Sequence, residues 1–451
     1  MDKRLPTLKV ITLGCSKNTV DTEHLLGMVG SSFEVLPLGD DTIPEEGVDY
    51  LLVNTCGFIG DAKEESVNVV LRCAQLKGEG RVGHLFVFGC LSQRYASELP
   101  GLIPEVDAWF GARELEPIAR ELGVEPSRYA QRYFPSSSSY AYMKISEGCD
   151  RRCSYCAIPF IRGAHRSVPM EELEQEARSL AAKGVRELLL IAQDTTYYGL
   201  DLYHERALGK LLRRLSLIEG IEWIRIHYSY PQDFPEDVLE EMAANPKVCR
   251  YMDIPLQHVS DKVLDNMHRH VDGAWTRALI GRMREKVPGI ALRTTMIVGH
   301  PGEGTREFEE LLSFVQDARF ERLGAFTYSE EEGTFGAENF KDSVRPSTKA
   351  RRLQRLMEIQ SGISFAYNLS RVGTRPVVLV DGCRDGVLVC RSEFESPEVD
   401  GEILVEYDPG MGHPAEEMTG QFIQVEVTSA DRYDLCARWI GNVPSPREPL
   451  E

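Results

Sequence analysis

Apolar positions along this chain fall into three successive regimes. In the first, "LKVITLGCSKN", "VDYLLVNTCGF" and "HLFVFGCLS" are short runs dense in Val, Leu, Ile and Phe, separated by stretches of helical spacing such as "DAKEESVNVVLRCAQLKG". Strand-like and helix-like segments in alternation predict a parallel sheet with crossover helices, here over residues 7–120. A Pro/Ser-rich stretch, "PSSSS" at 135–139, reads as a linker. Alternation then resumes in "YAYMKISEGC", "ELLLIAQDTTYYG", "IEWIRIHYSYP", "YMDIPLQH", "ALRTTMIVGHPGEG" and "RLGAFTYS", with helical stretches such as "MEELEQEARSLAAKG" and "TREFEELLSFVQDARF" between them. So many βα units in a row predict a parallel partial (β/α) barrel over 138–368. From residue 372 to 442 the period shortens to two, and Asp-Gly turn signals separate the runs, which predicts a small antiparallel β-barrel.

The fold class expected is thus α/β, with a β-barrel appended. At 451 residues the chain is too long for one core, in keeping with three units. No apolar run approaches the roughly 18 residues needed to cross a bilayer, and the N-terminus has no signal-peptide pattern, so a cytoplasmic location is expected. In that reducing compartment the 11 cysteines read as metal ligands, reactive thiols or packing residues rather than disulfides.

The cysteines are not scattered evenly. Cys15, Cys56 and Cys90 each stand at the carboxyl end of a first-domain strand, the edge where open α/β sheets bind ligands. Repetition of that placement favours one shared metal site over three separate packing thiols. Cys149, Cys153 and Cys156 lie in "SEGCDRRCSYCAIPF", a C-x-x-x-C-x-x-C loop directly after the first barrel strand. Both iron–sulfur and zinc sites use such wraps. Zinc would require a fourth ligand, for which only His165 is near, whereas a four-iron cluster on three thiolates leaves one iron open to a ligand. Cys73, Cys383, Cys390 and Cys436 lack a ligand-like loop and are assigned to packing.

"EGCDRRCSYCAIPFIRG" resembles the signature of radical S-adenosylmethionine enzymes, and the resemblance to methylthiotransferases runs over almost the whole chain. Within that group "AQDTTYYGLDLY" and "MIVGHPGEGTREFEE" look most like the RimO type, which methylthiolates an aspartate of a small-subunit ribosomal protein; His300 and Glu303-Gly304 replace the usual Phe and Glu-Thr. The resemblance implies a cysteine-bearing N-terminal domain, a radical barrel and a C-terminal TRAM barrel. It implies two 4Fe-4S clusters, one on Cys149, Cys153 and Cys156 that cleaves S-adenosyl-L-methionine to a 5′-deoxyadenosyl radical. The other, on Cys15, Cys56 and Cys90, would hold sulfur for transfer. By resemblance Gln193, Asp194, Gln257 and Arg293, with the backbone of Val298 and Gly299, contact the cofactor, and Tyr197 and Tyr198 are either contacts or packing. No acid–base catalytic residue is assigned. An electron donor such as flavodoxin or ferredoxin is implied.

Charge then bears on the partner. The chain carries a net −19, and from Val372 to Glu451 there are 6 Arg and no Lys against 16 acids, a local −10. Such a surface repels a polyanion and attracts a basic ribosomal protein, so direct nucleic-acid binding is not expected. Two other readings stay open: a tRNA adenosine methylthiotransferase, and a non-catalytic iron–sulfur redox or sensor protein.

Overall fold

A computed structural model describes residues 4–39, 42–126, 132–134 and 138–447. The first three residues of the expected linker lie outside the described residues. The N-terminal sheet contains β1 (Thr7–Thr12), β2 (Glu34–Val35), β3 (Val48–Thr55), β4 (Val82–Gly89) and β5 (Ala108–Trp109), ordered β2-β1-β3-β4-β5. All of its pairings are parallel. Successive side chains of its long strands enter different cores. Leu52, Phe86 and Phe88 pack with Leu25, Leu26 and Ile118 on one face, while Leu51, Val53, Leu85 and Val87 meet Val70 and Cys73 on the other. Burial on both faces is why these strands read as unbroken apolar runs.

The central unit opens with β6 (Tyr140–Lys144), followed by a short antiparallel pair, β7 (Ser146–Glu147) and β8 (Arg166–Ser167). This pair brackets the three-cysteine loop. It continues with β9 (Glu187–Ile191), β10 (Trp223–Ile226), β11 (Val248–Asp253), β12 (Ala291–Val298) and β13 (Arg322–Thr327). Six strands, β13-β12-β11-β10-β9-β6, form one parallel sheet, as the repeated strand–helix alternation predicts. Its helix-covered face is a continuous core that includes Leu188, Leu190, Ile224, Met252 and Leu292.

The opposite face of the sheet receives the two flanking units. Near the carboxyl strand ends, Leu189 and Ile191 pack with Val20 of the N-terminal domain, and Lys17 Nζ lies 3.0 Å from the Tyr228 ring centroid. Near the amino ends, Trp223, Cys249, Tyr251 and Ala291 pack with Leu379, Phe422 and Val443 of the C-terminal barrel.

That barrel is closed in the order β14-β15-β16-β18-β17, from β14 (Val377–Arg384), β15 (Val387–Arg391), β16 (Ile403–Glu406), β17 (Phe422–Ala430) and β18 (Leu435–Val443). It differs from the all-antiparallel expectation at one seam, where β16 and β18 run parallel. The reason is topological: five strands in a ring cannot alternate direction all the way round. Cys390 is buried in the barrel core and Cys383 packs against it, but Cys436 is exposed, so its packing assignment does not hold. Among the described residues no helix is long and apolar enough to cross a membrane.

Candidate active site

β1, β3 and β4 are neighbours in the sheet, so the residues just past their ends converge. Cys15 follows β1 and precedes the helix Ser16–Val29; Cys56 follows β3; Cys90 opens the helix Cys90–Arg94 after β4. Gly14 permits the approach: its φ is +93°, and a Cβ there would stand 3.0 Å from Cys56 Sγ. Buried Asn18 ties the strand ends together, its Nδ2 donating to Leu13 O at 2.7 Å and Thr55 O at 3.2 Å. Burial pushes the Cys56 thiol up to about 11, and the neighbouring Cys90 and Cys15 add to it. Cys90 is also raised by burial, partly offset by Arg162.

Across the domain boundary lies the loop of Cys149, Cys153 and Cys156. Cys149 N donates to Gly163 O at 3.0 Å, Cys156 N to Cys153 O at 3.1 Å and Ser154 N to Met267 O at 3.0 Å. Arg269 Nη1 lies 3.5 Å from Cys153 Sγ and 3.4 Å from the Tyr155 hydroxyl. Tyr230 donates to Arg269 O at 3.0 Å, and its ring centroid lies 4.1 Å from the guanidinium carbons of both Arg151 and Arg269. Burial pushes Cys149 up to about 12, and raises Cys156 further with Cys153 and Cys149 beside it.

These donor sets fit the implied clusters. Mutually interacting, desolvated thiols hold their protons until a cationic group displaces them. Among the described residues no three His, Cys, Asp or Glu side chains are close enough to share one metal ion. A cubane distributes its cysteines over separate irons, so it does not require that closeness. His165, the zinc candidate, faces Ser167 Oγ at 3.0 Å and Asp201 at 3.7 Å instead.

The expected cofactor contacts divide. Gln193 and Gln257 reach the carboxyl side of the sheet, and the buried Oε1 of each has no hydrogen-bond partner among the described residues. Gln257 is held at φ +73° by Gln257 N to Thr295 O and Ile297 N to Gln257 O, both at 2.8 Å. Unpaired buried acceptors, one of them on Gln257's strained backbone, are what a bound donor would satisfy.

Asp194 departs from expectation. One of its oxygens accepts from Arg151 Nε at 2.9 Å and the other from the Thr196 amide and hydroxyl, leaving it a structural cap. Arg293 departs more clearly. It pairs with Asp253 at 3.0 Å and Asp400 at 3.6 Å, facing the C-terminal barrel rather than a cofactor carboxylate. At the adenine-side loop, Val298 O accepts from Tyr328 N and Gly299 N donates to Glu303, both at 2.8 Å, so these two backbone groups are already paired. His300 is buried and its pKa is lowered to about 4, burial outweighing its bond to Pro301 O. Tyr198 is packing, its hydroxyl donating to Val168 O at 2.7 Å. Tyr197 stacks edge-on to His165 at 5.0 Å.

The acidic C-terminal surface is also less available than its composition implies. Glu393 pairs with Arg250, Glu395 with Arg322 and Arg371, Asp400 with Arg293, and Glu402 with Arg384, while Glu398 accepts from Tyr140 and Tyr142. Most of these acids bind the barrel to the central unit. The electrostatic argument for a basic partner therefore loses its main residues.

Similarity to solved structures is consistent with this architecture. The radical S-adenosylmethionine methyltransferase TsrM from Kitasatospora setae matches 74% of both chains with a TM-score of 0.55 at 14% identity. The cobalamin-dependent radical enzyme OxsB matches 79% of this chain and 56% of its own with a TM-score of 0.50 at 12% identity. Identity that low shows fold alone. Residues 7–111 match "Uncharacterized protein family UPF0004", 143–315 the Radical SAM superfamily and 372–440 the TRAM domain. The "Ribosomal protein uS12 methylthiotransferase RimO" of Porphyromonas gingivalis is 50% identical over 95% of this chain and 98% of its own. The chain belongs to the RimO family of methylthiotransferases. Enzymes of the same description from Bacteroides thetaiotaomicron and Flavobacterium johnsoniae are 48% and 46% identical over 96% and 95% of this chain, and 98% and 97% of their own.

As a RimO-family member the chain is a radical S-adenosylmethionine methylthiotransferase, and the radical superfamily implies a 4Fe-4S cluster and S-adenosylmethionine. Sequence reasoning missed Asn18, Glu147, Arg162, Tyr230 and Arg269. Arg162 sat inside the quoted signature and Asn18 inside "GCSKN", but nothing local to Arg269 points at Cys153.

Proposed function

We propose that this enzyme adds a methylthio group to the β-carbon of an aspartate in ribosomal protein uS12. Cys149, Cys153 and Cys156 hold the radical cluster, and Cys15, Cys56 and Cys90 hold a second 4Fe-4S cluster. The domains divide as 7–120, 138–368 and 372–442, the electron donor is a flavodoxin or ferredoxin, and the reaction takes place in the cytoplasm. The supporting observation is the convergence of three cysteines from adjacent strand ends beside the radical loop of the neighbouring domain.

When bound, the radical cluster supplies the electron that breaks a carbon–sulfur bond of S-adenosylmethionine, giving a radical that takes hydrogen from an unactivated carbon. The chain's part is to bind, orient and shield. Gln193 and Gln257 offer unpaired amide oxygens to the cofactor's donors. Arg269 and the Tyr230 hydroxyl stand 3.5 and 3.8 Å from Cys153 Sγ, and Tyr155 holds the same guanidinium at 3.4 Å. Glu147 accepts from Gln193 Nε2 at 2.6 Å and so fixes that amide's orientation. The tRNA-modifying reading is not favoured, because the high-coverage relatives carry the ribosomal-protein name. A sensor reading gives no reason for three-thiolate sites that leave a coordination position open.

The test is mass spectrometry of uS12 from cells with and without the gene. A methylthio mass increase on one aspartate, lost on deletion and restored by this chain, is expected. Unmodified uS12 together with methylthiolated tRNA adenosine would replace this reading with the tRNA one.

A further inference from the structure

Arg162 is 2% exposed and ends the helix Ile158–Arg162, six residues after Cys156. Its guanidinium reaches out of the radical domain. Nε donates to Cys90 Sγ at 3.3 Å, Nη2 to Asn18 Oδ1 at 2.6 Å, and Nη1 to Asp21 Oδ2 at 2.7 Å and Glu147 Oε2 at 3.0 Å. Lys144 also pairs with Asp21 and Glu147, so two cations, buried Arg162 and half-buried Lys144, face two anions, buried Asp21 and half-buried Glu147. The charges within this quartet cancel. Arg162 nevertheless acts on Cys90 both through its charge, which Asp21 offsets in part, and through a directed N–H bond. Through Glu147 the same guanidinium is two hydrogen bonds from Gln193, on the cofactor side of the radical domain.

We propose that Arg162 is a positioning residue joining the two cysteine sites, its Nε–H setting the reduction potential of the cluster on Cys15, Cys56 and Cys90. The proposal rests on the two-cluster reading above. A hydrogen bond to a ligating sulfur draws off electron density and favours the reduced cluster, so it raises the potential. A lysine keeps the charge but lacks the planar fork that serves four acceptors at once.

The experiment uses the full chain carrying C149A, C153A and C156A, in which only the second cluster loads. Anaerobic redox titration followed by electron paramagnetic resonance compares intact Arg162 with R162Q and R162K. All three are expected to hold about four irons. The potential should move negative in R162Q and by less in R162K. With the radical cysteines restored, R162Q should lose methylthiolation roughly tenfold or more, a clearly greater loss than that of uncoupled S-adenosylmethionine cleavage, for which Lys144 still holds Glu147. If R162Q does not fold, R162K decides by the same potential measurement. An unmoved potential in a loaded variant overturns the proposal and leaves the two-cluster reading standing. Loss of iron from both variants, with circular dichroism unchanged, also overturns it, because Arg162 would then be needed for loading. Failure of the Arg162-intact chain to load any cluster overturns the two-cluster reading, and the proposal with it.

Discussion

Glu395 offers a quantitative test of how the C-terminal barrel is held. It is 1% exposed, and its carboxylate accepts from Ser392 N at 3.1 Å, Ser392 Oγ at 2.6 Å and Arg322 Nη2 at 3.1 Å, with Arg371 against the same oxygen as Arg322. Burial alone would push its carboxyl up, but Arg371 and Arg322 outweigh burial and hold it at about 2, against an ordinary 4.5. That gap corresponds to on the order of 3 kcal/mol of folding free energy. Glu395→Gln removes the anion and leaves two buried guanidiniums without it, for an expected loss of about 3–5 kcal/mol. Because the folded value is depressed, the stabilisation is complete above pH about 4.5 and is lost as pH falls toward about 2. The variant should lose that part of the wild-type pH dependence. Hydrogen exchange of β14–β18 amides across pH, with urea unfolding as a second measure, reads both effects. High salt should change them little, since a buried pair is weakly screened. A Glu395→Gln loss under about 0.5 kcal/mol, or one abolished by about 1 M salt, would refute the reasoning.

Changing Cys149, Cys153 and Cys156 together to Ala should reduce iron after anaerobic reconstitution from about eight per chain to about four, measured by colorimetric iron assay. Changing Cys15, Cys56 and Cys90 to Ala should abolish methylthiolation while S-adenosylmethionine cleavage, followed by chromatography of 5′-deoxyadenosine, persists; loss of cleavage with the radical cluster still loaded would contradict the division of roles. Gly299→Ala forces a side chain to φ +79° and brings its Cβ to 2.4 Å from Lys349 Cγ, whose Nζ is anchored on Tyr328 O and Asp342. It should destabilise by about 1–3 kcal/mol with iron content unchanged, as thermal unfolding and colorimetric iron assay would show.

The three regimes of periodicity, the six cysteines on strand ends or in one loop, and the lack of a long apolar helix are local properties. A strand buried on both faces must be apolar throughout, and a half-buried one must alternate, so these patterns are readable along the chain. The glycines that permit tight approaches, such as Gly14 beside Cys15, are likewise part of the local pattern.

Partner choice is not local. Glu393, Glu395 and Asp400 read as free surface charge until Arg250, Arg322, Arg371 and Arg293, distant in sequence, arrive to pair with them. Arg293 itself, plausible as a carboxylate clamp by its strand position, is turned to the barrel by Asp253 and Asp400. Arg162 and Arg269 gained their significance only when folding brought Cys90 and Cys153 to them across 72 and 116 residues. Composition and period determined which elements form and where the thiols stand. Only the tertiary structure decided which charges meet, because a Coulomb or hydrogen-bond partner is chosen by distance in space, and distance along the chain does not fix it.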